Sequence, residues 1–447
     1  MIVHWFRRDL RLTDNLGFQA SAKAGTVLPL YILSSWKDTH PWTGPPRQAA
    51  LCHSLGSLHR QLEARGSRLV LRTGSPLEVL EQLVLQSREA PEKERITAIS
   101  THLSPDPHGR AVDAALAGLC QRLGIDLHLY HDHTVYPSSH PALLTHQGTP
   151  YRVFTAFARA WLRLSPPTPK FFHGSLQPVP ARYHSKIPPT LSHWNLPEFP
   201  ELLPTGEPAA RQRMNAFFRE GIYQYASGRD YPAAEQTSRF SVDLRWGTLS
   251  IRELVILTRR AIDKAPNATA RKSAFTFLKE LIWREFYFAI LWHWPEVLEH
   301  EFNPAYRKLP WLWPGRPIPP VFHGTAVHPR EALERWCEGK TGFPIVDAAM
   351  RQLNATGFMH NRLRMIVAMF LTKDLHLDWR LGERYFMQHL ADGDIAANNG
   401  GWQWCAGTGA DAAPYFRIQN PWIQTARFDP DGEFIRGWVP ELRHLPA

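Results

Sequence analysis

Ile2-Val-His-Trp-Phe6 is a short apolar run that gives way at once to Arg7-Arg-Asp-Leu-Arg11-Leu-Thr-Asp14-Asn15, a loop of charges and amides. An apolar run of this length bounded by a polar turn reads as a buried strand of a parallel sheet. The same pattern returns at Val27–Leu33, Arg68–Arg72, Ile96–His102 and Asp126–His131, with amphipathic stretches such as Arg47–Ala64 and Pro76–Gln86 between. Strand–helix alternation predicts a doubly wound parallel α/β domain over residues 1–135. Sheets of this kind bind nucleotides at their carboxyl edge, yet no glycine-rich phosphate loop follows the first strand. The polar loop stands in its place, its purpose not evident from sequence.

Outward from this domain the character of the chain changes twice. Eleven prolines fall between Pro166 and Pro208. Each removes a hydrogen-bond donor and fixes φ, so residues 136–209 are expected to form an interdomain linker. Helical spacing then takes over at Arg211–Tyr225, Ser250–Lys264, Ser273–Trp292, Ala348–Leu353, Asn361–Leu371 and Arg380–Leu390. Residues 210–447 therefore read as a large all-α domain.

A chain of 447 residues with 44% hydrophobic content can bury more than one core. Its 51 Lys and Arg against 41 Asp and Glu leave a net charge of +10, which favours a polyanionic partner. Seventeen tryptophans suggest stacking surfaces as well as packing. Cys52, Cys120, Cys337 and Cys405 are scattered, which signals neither a disulfide framework nor a metal site and suits a reducing cytoplasm. No apolar signal region opens the sequence and no run reaches membrane-spanning length, so an intracellular, cytoplasmic chain with no membrane contact is expected. His131 and His133 read as packing or surface residues, and no metal is expected.

Four constellations in the helical half could carry chemistry. Asp392-Gly-Asp-Ile-Ala-Ala-Asn-Asn-Gly-Gly-Trp-Gln-Trp404 mixes carboxylates and amides with two indoles, as a binding pocket does. Taken alone it is equally a tight turn around a packed tryptophan pair. Tyr225 to Arg229, with Thr237 to Ser241, could address phosphate oxygens or simply cap a helix. Glu280, Trp283 and Arg284 share a helical face, as a surface ion pair beside a packed indole also would. Asn361 and Met365 share another, beside Arg362, and could meet a base or could be core and solvent positions.

These motifs, in this order, resemble the photolyase/cryptochrome flavoproteins, and within them the bacterial class I cyclobutane pyrimidine dimer photolyases. The resemblance runs from His4-Trp-Phe-Arg-Arg-Asp to Gly432-Glu-Phe-Ile-Arg-Gly-Trp-Val-Pro-Glu-Leu442 and is most specific over Gly339–Asn420. It implies a Rossmann-like N-terminal domain, a helical domain holding FAD that is reduced and anionic when active, and light-driven repair of UV-damaged DNA by a monomer. By motif, Tyr225, Thr237, Ser238, Arg239, Phe240, Ser241, Phe277, Asp392, Gly393 and Asp394 resemble cofactor contacts. Asn398 matches the residue facing the flavin N5, and Arg364 is expected to pair with Asp392. Trp402, Trp379 and Trp311 match an electron relay to the surface.

On the substrate side, Trp283 and Trp404 resemble the walls for an extruded dimer, the base-flipping arrangement for which photolyases are a known example. Glu280 is expected to donate a proton to a dimer carbonyl, with Asn361 and Met365 lining the pocket. Arg229, Arg284, Arg362 and Arg417 are expected to meet DNA phosphates. A second, antenna chromophore is left open, and a folate is not supported, because Gly109 stands where folate-binding relatives carry a carboxylate. A cryptochrome-type photoreceptor and a (6-4) photolyase are the alternatives. Asn398 and the absence of a long C-terminal tail weigh against the first, and Met365 against the second.

Overall fold

The computed structural model describes residues 1–34, 42–185, 190–318, 328–412 and 417–445. Tyr415 and Phe416, within the Gly339–Asn420 stretch named above, lie outside these residues. Strands β1 (Ile2–Phe6), β2 (Val27–Leu33), β3 (Val70–Thr73), β4 (Ala98–His102) and β5 (Asp126–Tyr130) alternate with helices α1 (Leu16–Ala24), α2 (Pro45–Glu63), α3 (Pro76–Ser87) and α4 (Pro107–Leu123). The sheet is parallel throughout, in the order β3-β2-β1-β4-β5, with Ile2 paired to Val27 on one side and Ala98 on the other. This is the doubly wound arrangement expected from the strand–helix alternation.

The helical half contains α5 (Phe154–Leu162), α6 (Glu207–Arg219), α7 (Tyr225–Gly228), α8 (Ser241–Trp246), α9 (Ile251–Asp263) and the central α10 (Ala268–His293). It continues through α11 (Pro329–Glu338), α12 (Pro344–Thr356), α13 (Asn361–Met369), α14 (Trp379–His389), α15 (Ile395–Ala406), α16 (Pro421–Phe428) and α17 (Glu433–Trp438). Among the described residues no helix is long and apolar enough to cross a membrane.

The linker expected over 136–209 needs correction. Its first part, free of proline clusters, belongs to the helical core: Tyr136, Leu143, Phe154, Phe157 and Trp161 pack with α9 and α10. Trp161 donates to Glu285 at 2.7 Å. The proline-rich remainder turns back over the α/β half, where Leu176, Leu191 and Trp194 are buried against α2.

The polar loop after β1 acquires a function at the join. Asp9 is fully buried, contacts His4 and His102, and accepts from Asn15. Burial alone would push its carboxyl up, but the two imidazoles outweigh that and hold it well below the usual carboxylate range. Arg11 grips both oxygens of Asp132 at 2.7 Å. Arg252, in α9, holds the same Asp132 and also Asp14. Glu207, at the start of α6, accepts from the backbone N–H of Leu12 and Thr13. The loop sits where the strand order reverses, and it spends its polar groups on bonding the two halves together.

Asp132 lies between the two histidines singled out above. His131 bonds Thr134, and His133 is buried and stacked on Phe288. Asp132→Ala would leave Arg11 and Arg252, each about 2–3% exposed, without their shared carboxylate. Removing one partner of a buried ion pair costs roughly 3–5 kcal/mol. The urea midpoint of Asp132→Ala is expected to fall accordingly; a midpoint equal to the parent chain's would show that the network does not join the halves.

Candidate functional site: a cavity between α10, α13 and α15

Helix α10 begins at Asn267, whose side chain caps the Ala270 N–H, and runs unbroken for 26 residues. Spacings of three and four turn Phe277, Glu280, Leu281, Trp283, Arg284 and Tyr287 toward one space. Opposite lies the stretch Asp392–Trp404, which is not a turn but the start and body of α15. Asp394 caps the N–H groups of Ala396 and Ala397, and Gly407 closes the helix in the left-handed conformation. Gly400 lets the two helices close: a Cβ there would lie 2.1 Å from the Tyr287 ring. With the Ser238–Ser241 turn and α13, they enclose about 550 Å³.

Nearly all the expected site residues meet in this cavity. Tyr225, Ser238, Phe240, Ser241, Phe277, Arg364, Asp392, Gly393, Asp394 and Asn398 line it, as do Arg229, Glu280, Trp283, Arg284, Asn361, Arg362, Met365, Trp402 and Trp404. Thr237 and Arg239 do not line it. Arg239 sits at φ 53°, and its guanidinium lies over the Phe358 ring and near Glu235. The turn thus presents Ser238 and Ser241 to the cavity and carries the arginine away from it.

The charges in the wall and directly behind it fall into two groups. In the inner one, Arg364 donates to Asp392 at 2.7 Å, the pairing expected from sequence. Arg47 and Arg245 both donate to the Gly393 carbonyl, at 2.8 and 2.7 Å, and Arg8 lies 3.2 Å from Asp106 and 4.0 Å from Asp394. Burial, then the neighbouring Arg8, lowers Arg47 to about 9; burial with Arg8 and Arg47 pushes Arg245 well below its usual value. Arg284 belongs here too. It donates to the His133 carbonyl at 2.5 Å, lies over Phe288 and feels Asp394, so its expected place against DNA phosphates is not where its guanidinium stands.

The second group is more open. Arg229 donates to Glu280 at 2.5 Å and Arg362 to Asp230 at 2.7 Å, with both carboxylate side chains 34% exposed. Glu280 therefore accepts a charged hydrogen bond here, where the sequence reading expected a proton donor. Both arginines expected at phosphates are paired, but ion pairs this exposed contribute only ~0–1 kcal/mol and can exchange a carboxylate for a phosphate. Arg417 does not line the cavity; its guanidinium lies 5.6 Å over the Trp404 ring. Trp283 is held flat by Phe154, with ring centres 3.7 Å apart and planes 4° from parallel.

From the cavity a line of indoles leads outward. Trp402, 2% exposed, presses on Gly382, where a Cβ would lie 2.0 Å from its ring. Three residues earlier on the same helix stands Trp379, fully buried. Backbone pairing of Leu312 with Leu377 brings Trp311 alongside, and the Nε1 groups of Trp379 and Trp311 both donate to Glu301 at 3.3 Å. Trp311 is partly exposed.

A family model described as the FAD binding domain of DNA photolyase matches residues 277–447, and one described as DNA photolyase matches residues 2–175. A deoxyribodipyrimidine photo-lyase of Vibrio cholerae is 40% identical over 100% of this chain and 92% of its own length. Its counterpart in Escherichia coli is 39% identical over 99% of this chain and 89% of its own length. The chain belongs to the DNA photolyase family. Among solved structures, a bacterial class III photolyase from Agrobacterium tumefaciens superposes with a TM-score of 0.85 at 35% identity, covering 100% of this chain and 87% of that one.

The wall of this photolyase-family cavity suits an anionic flavin dinucleotide. Arg245 Nη1 and Asp392 Oδ1, both on lining residues, are buried polar atoms with no hydrogen-bond partner, and such atoms call for a ligand. A Cβ on Gly401 would meet nothing within 4 Å, so the helix backbone is bare toward the cavity. Asn398 is anchored by its Nδ2 to the Glu383 carbonyl at 3.0 Å. In the α/β half of the photolyase fold, Gly109 has no room for a side chain: a Cβ would lie 2.2 Å from that of Ser104. A carboxylate at that position would require Ser104 to move.

Sequence reasoning missed Arg8, Arg47, Arg245 and Phe154. Arg8 was visible in the loop after β1 and Phe154 in the helical spacing with Phe157 and Trp161, but nothing local tied either to Asp394 or Trp283, the cavity-lining residues they back. It also missed Glu383, which lies behind Asn398, is 1% exposed and accepts from Asn399 at 2.9 Å. Burial pushes its carboxyl from 4.5 up to about 8. A carboxyl whose folded pKa is raised binds its proton more tightly when folded, so it costs stability as pH rises from the unfolded toward the folded value. Glu383→Gln is expected to flatten the fall in stability between about pH 5 and 8, read from urea midpoints. Parallel pH profiles for the two proteins would show that Glu383 is ionised throughout.

Proposed function

We propose that this chain is a light-dependent lyase that splits cyclobutane pyrimidine dimers in DNA, with FAD held in the cavity between α10, α13 and α15. The full-length likeness to deoxyribodipyrimidine photo-lyases carries the reading. The names of those relatives favour repair over signalling. When bound, FAD supplies one electron on absorbing light and takes it back when the dimer has opened.

The residues of the chain do the rest. Ser238, Ser241, Arg245 and Arg284 would hold the dinucleotide's phosphate and ribityl oxygens, and the Arg364–Asp392 pair fixes the loop that meets its ring system. Asn398, fastened to Glu383, presents its remaining amide atoms to the ring edge. Trp402, Trp379 and Trp311 carry electrons inward from the surface. Trp283, backed by Phe154, and Trp404 form two flat walls that take the extruded bases and exclude water. Asn361 and Met365 close the side between them. With Arg229 turned to a phosphate, Glu280 would be left beside the lesion to hydrogen-bond a dimer carbonyl as that carbonyl gains negative charge.

Arg229, Arg362 and Arg417 would take over flanking phosphates. Three such contacts give a slope of about −2.7 in log affinity against log salt, or ~40-fold weaker binding from about 50 to 200 mM. The protein is expected to act as a cytoplasmic monomer. A titration of thymine-dimer duplex at several salt concentrations, on protein carrying flavin absorbance, tests the reading. Salt-independent binding, or a purified protein with no flavin band, would contradict it.

A further inference from the structure

Glu301 is a buried carboxylate that lies outside the cavity, its side chain only 3% exposed. Its Oε1 accepts from two indoles at once, Trp379 Nε1 and Trp311 Nε1, each at 3.3 Å. Its Oε2 accepts from Arg380 Nη2 at 3.1 Å. Burial would raise this carboxyl, but its own backbone N–H, Arg380 and the Trp379 indole outweigh that and hold it below its usual value. It is therefore ionised. A buried indole N–H needs only a neutral acceptor, so two indoles on one charged oxygen is a more specific arrangement. Gln403, next to Trp402 on α15, holds the carboxylate in place from the cavity side. It donates to the His300 carbonyl at 3.1 Å and accepts from the Phe302 N–H at 2.8 Å, gripping both neighbours of Glu301.

The three indoles of the relay differ in their surroundings. Trp402 Nε1 is buried and has no hydrogen-bond partner, whereas Trp379 and Trp311 share the carboxylate. Arg380 lies 4.6 Å over the Trp379 ring, a cation against the face of an indole that must lose an electron. Trp311 is partly exposed. An electron moving inward leaves positive charge moving outward. That charge meets no anion at Trp402, an anion and an opposing cation at Trp379, and an anion with access to water at Trp311.

We propose that Glu301 drives this outward step: its charge stabilises positive charge on Trp379 and Trp311 relative to Trp402, and so delays its recombination with the electron delivered to the cavity. This rests on the relay assigned above and adds to it a residue that is not itself oxidised. No bond in the protein forms or breaks. One electron leaves the indoles inward, and an external thiolate returns one from solvent as it becomes a thiyl radical. A unit charge about 5 Å away at an effective dielectric of about 20 shifts such an equilibrium by a factor of roughly 100. Arg380 offsets part of that field, and roughly 10-fold is expected to remain.

The test compares flavin-loaded parent protein with Glu301→Gln, which keeps the shape and loses the charge, and Glu301→Asp, which keeps the charge and shortens the side chain. Transient absorption after a light pulse on the oxidised proteins gives the lifetime of the tryptophan radical. Glu301→Gln is expected to shorten it ~10-fold and Glu301→Asp by less than ~3-fold. A role confined to packing predicts the reverse order, with the near-isosteric Gln closer to the parent. That order would overturn the proposal, as would a Gln variant equal to the parent or a ~10-fold loss in the Asp variant. A second readout needs no light: in protein labelled with nitrogen-15 at tryptophan, two indole N–H resonances are expected to shift in Glu301→Gln. Unmoved resonances would show that the carboxylate holds neither indole in solution, which also overturns the proposal. Trp402→Phe separates the two layers: if its radical forms as in the parent, the relay itself fails and this role fails with it.

Discussion

Trp402→Phe is expected to abolish photoreduction of oxidised, bound flavin while leaving repair by chemically pre-reduced protein within about twofold of the parent. The change is nearly silent for packing. Trp402 is 2% exposed, wedged on Gly382 and edge-on to Phe386 and Trp336, and a phenyl ring occupies most of the same volume. What it removes is an easily oxidised ring between the cavity and Trp379. A step raised by only ~3 kcal/mol already slows a rate about 100-fold, and phenylalanine is far harder to oxidise than tryptophan. Illuminating the two proteins with an external reductant and following flavin absorbance decides the matter. Equal photoreduction would remove Trp402 from the relay; loss of repair by the pre-reduced variant would show instead that the indole is needed inside the cavity.

The second large effect is expected from Arg364→Ala. Asp392 has a side chain only 3% exposed, accepts from Arg364 through Oδ2 and leaves Oδ1 without a partner. Deleting the guanidinium strands a buried carboxylate, a change of roughly 3–5 kcal/mol when both charges are enclosed. Arg364 is 27% exposed, so water recovers part of that cost and the lower end applies. A loss of even ~3 kcal/mol from the loop is about 100-fold in cofactor affinity. The variant should lose flavin on gel filtration, with Asp392→Asn in the same background restoring part of it by removing the stranded charge. Full retention of flavin by Arg364→Ala would mean that the pair supports the loop but not the ligand.

The α/β half was readable because each strand is a local apolar run, and all five expected strands lie within two residues of those found. The helical half was readable where apolar spacing is regular, as along α9 and α10. It failed at α15, where Asn398, Asn399, Gly400 and Gly401 lower helix propensity and tertiary packing restores the helix. The boundary at residue 136 failed for a related reason. The prolines beyond Pro166 marked a linker, and the helical spacing of Phe154, Phe157 and Trp161 was absorbed into it.

The site was legible as motifs, and the resemblance of those motifs to a flavoprotein family is what named the cofactor. Residue spacing alone left each motif with an ordinary structural explanation. Which charge pairs with which was less accessible. Arg364 with Asp392 was anticipated, but Arg284's place in the inner group and the Arg229–Glu280 pair depend on distances between elements far apart in sequence. The loop after β1 is the clearest case, since its partners Asp132, Glu207 and Arg252 lie more than a hundred residues away.

The most direct measurement is repair itself. The purified, flavin-bearing protein is reduced, mixed with an oligonucleotide containing one thymine dimer, and divided between blue light and darkness, with intact thymines counted by chromatography. Restored thymines are expected only in the illuminated sample, in numbers exceeding the protein present. Flavin bound and reduced, with the dimer intact after illumination, would contradict the repair function.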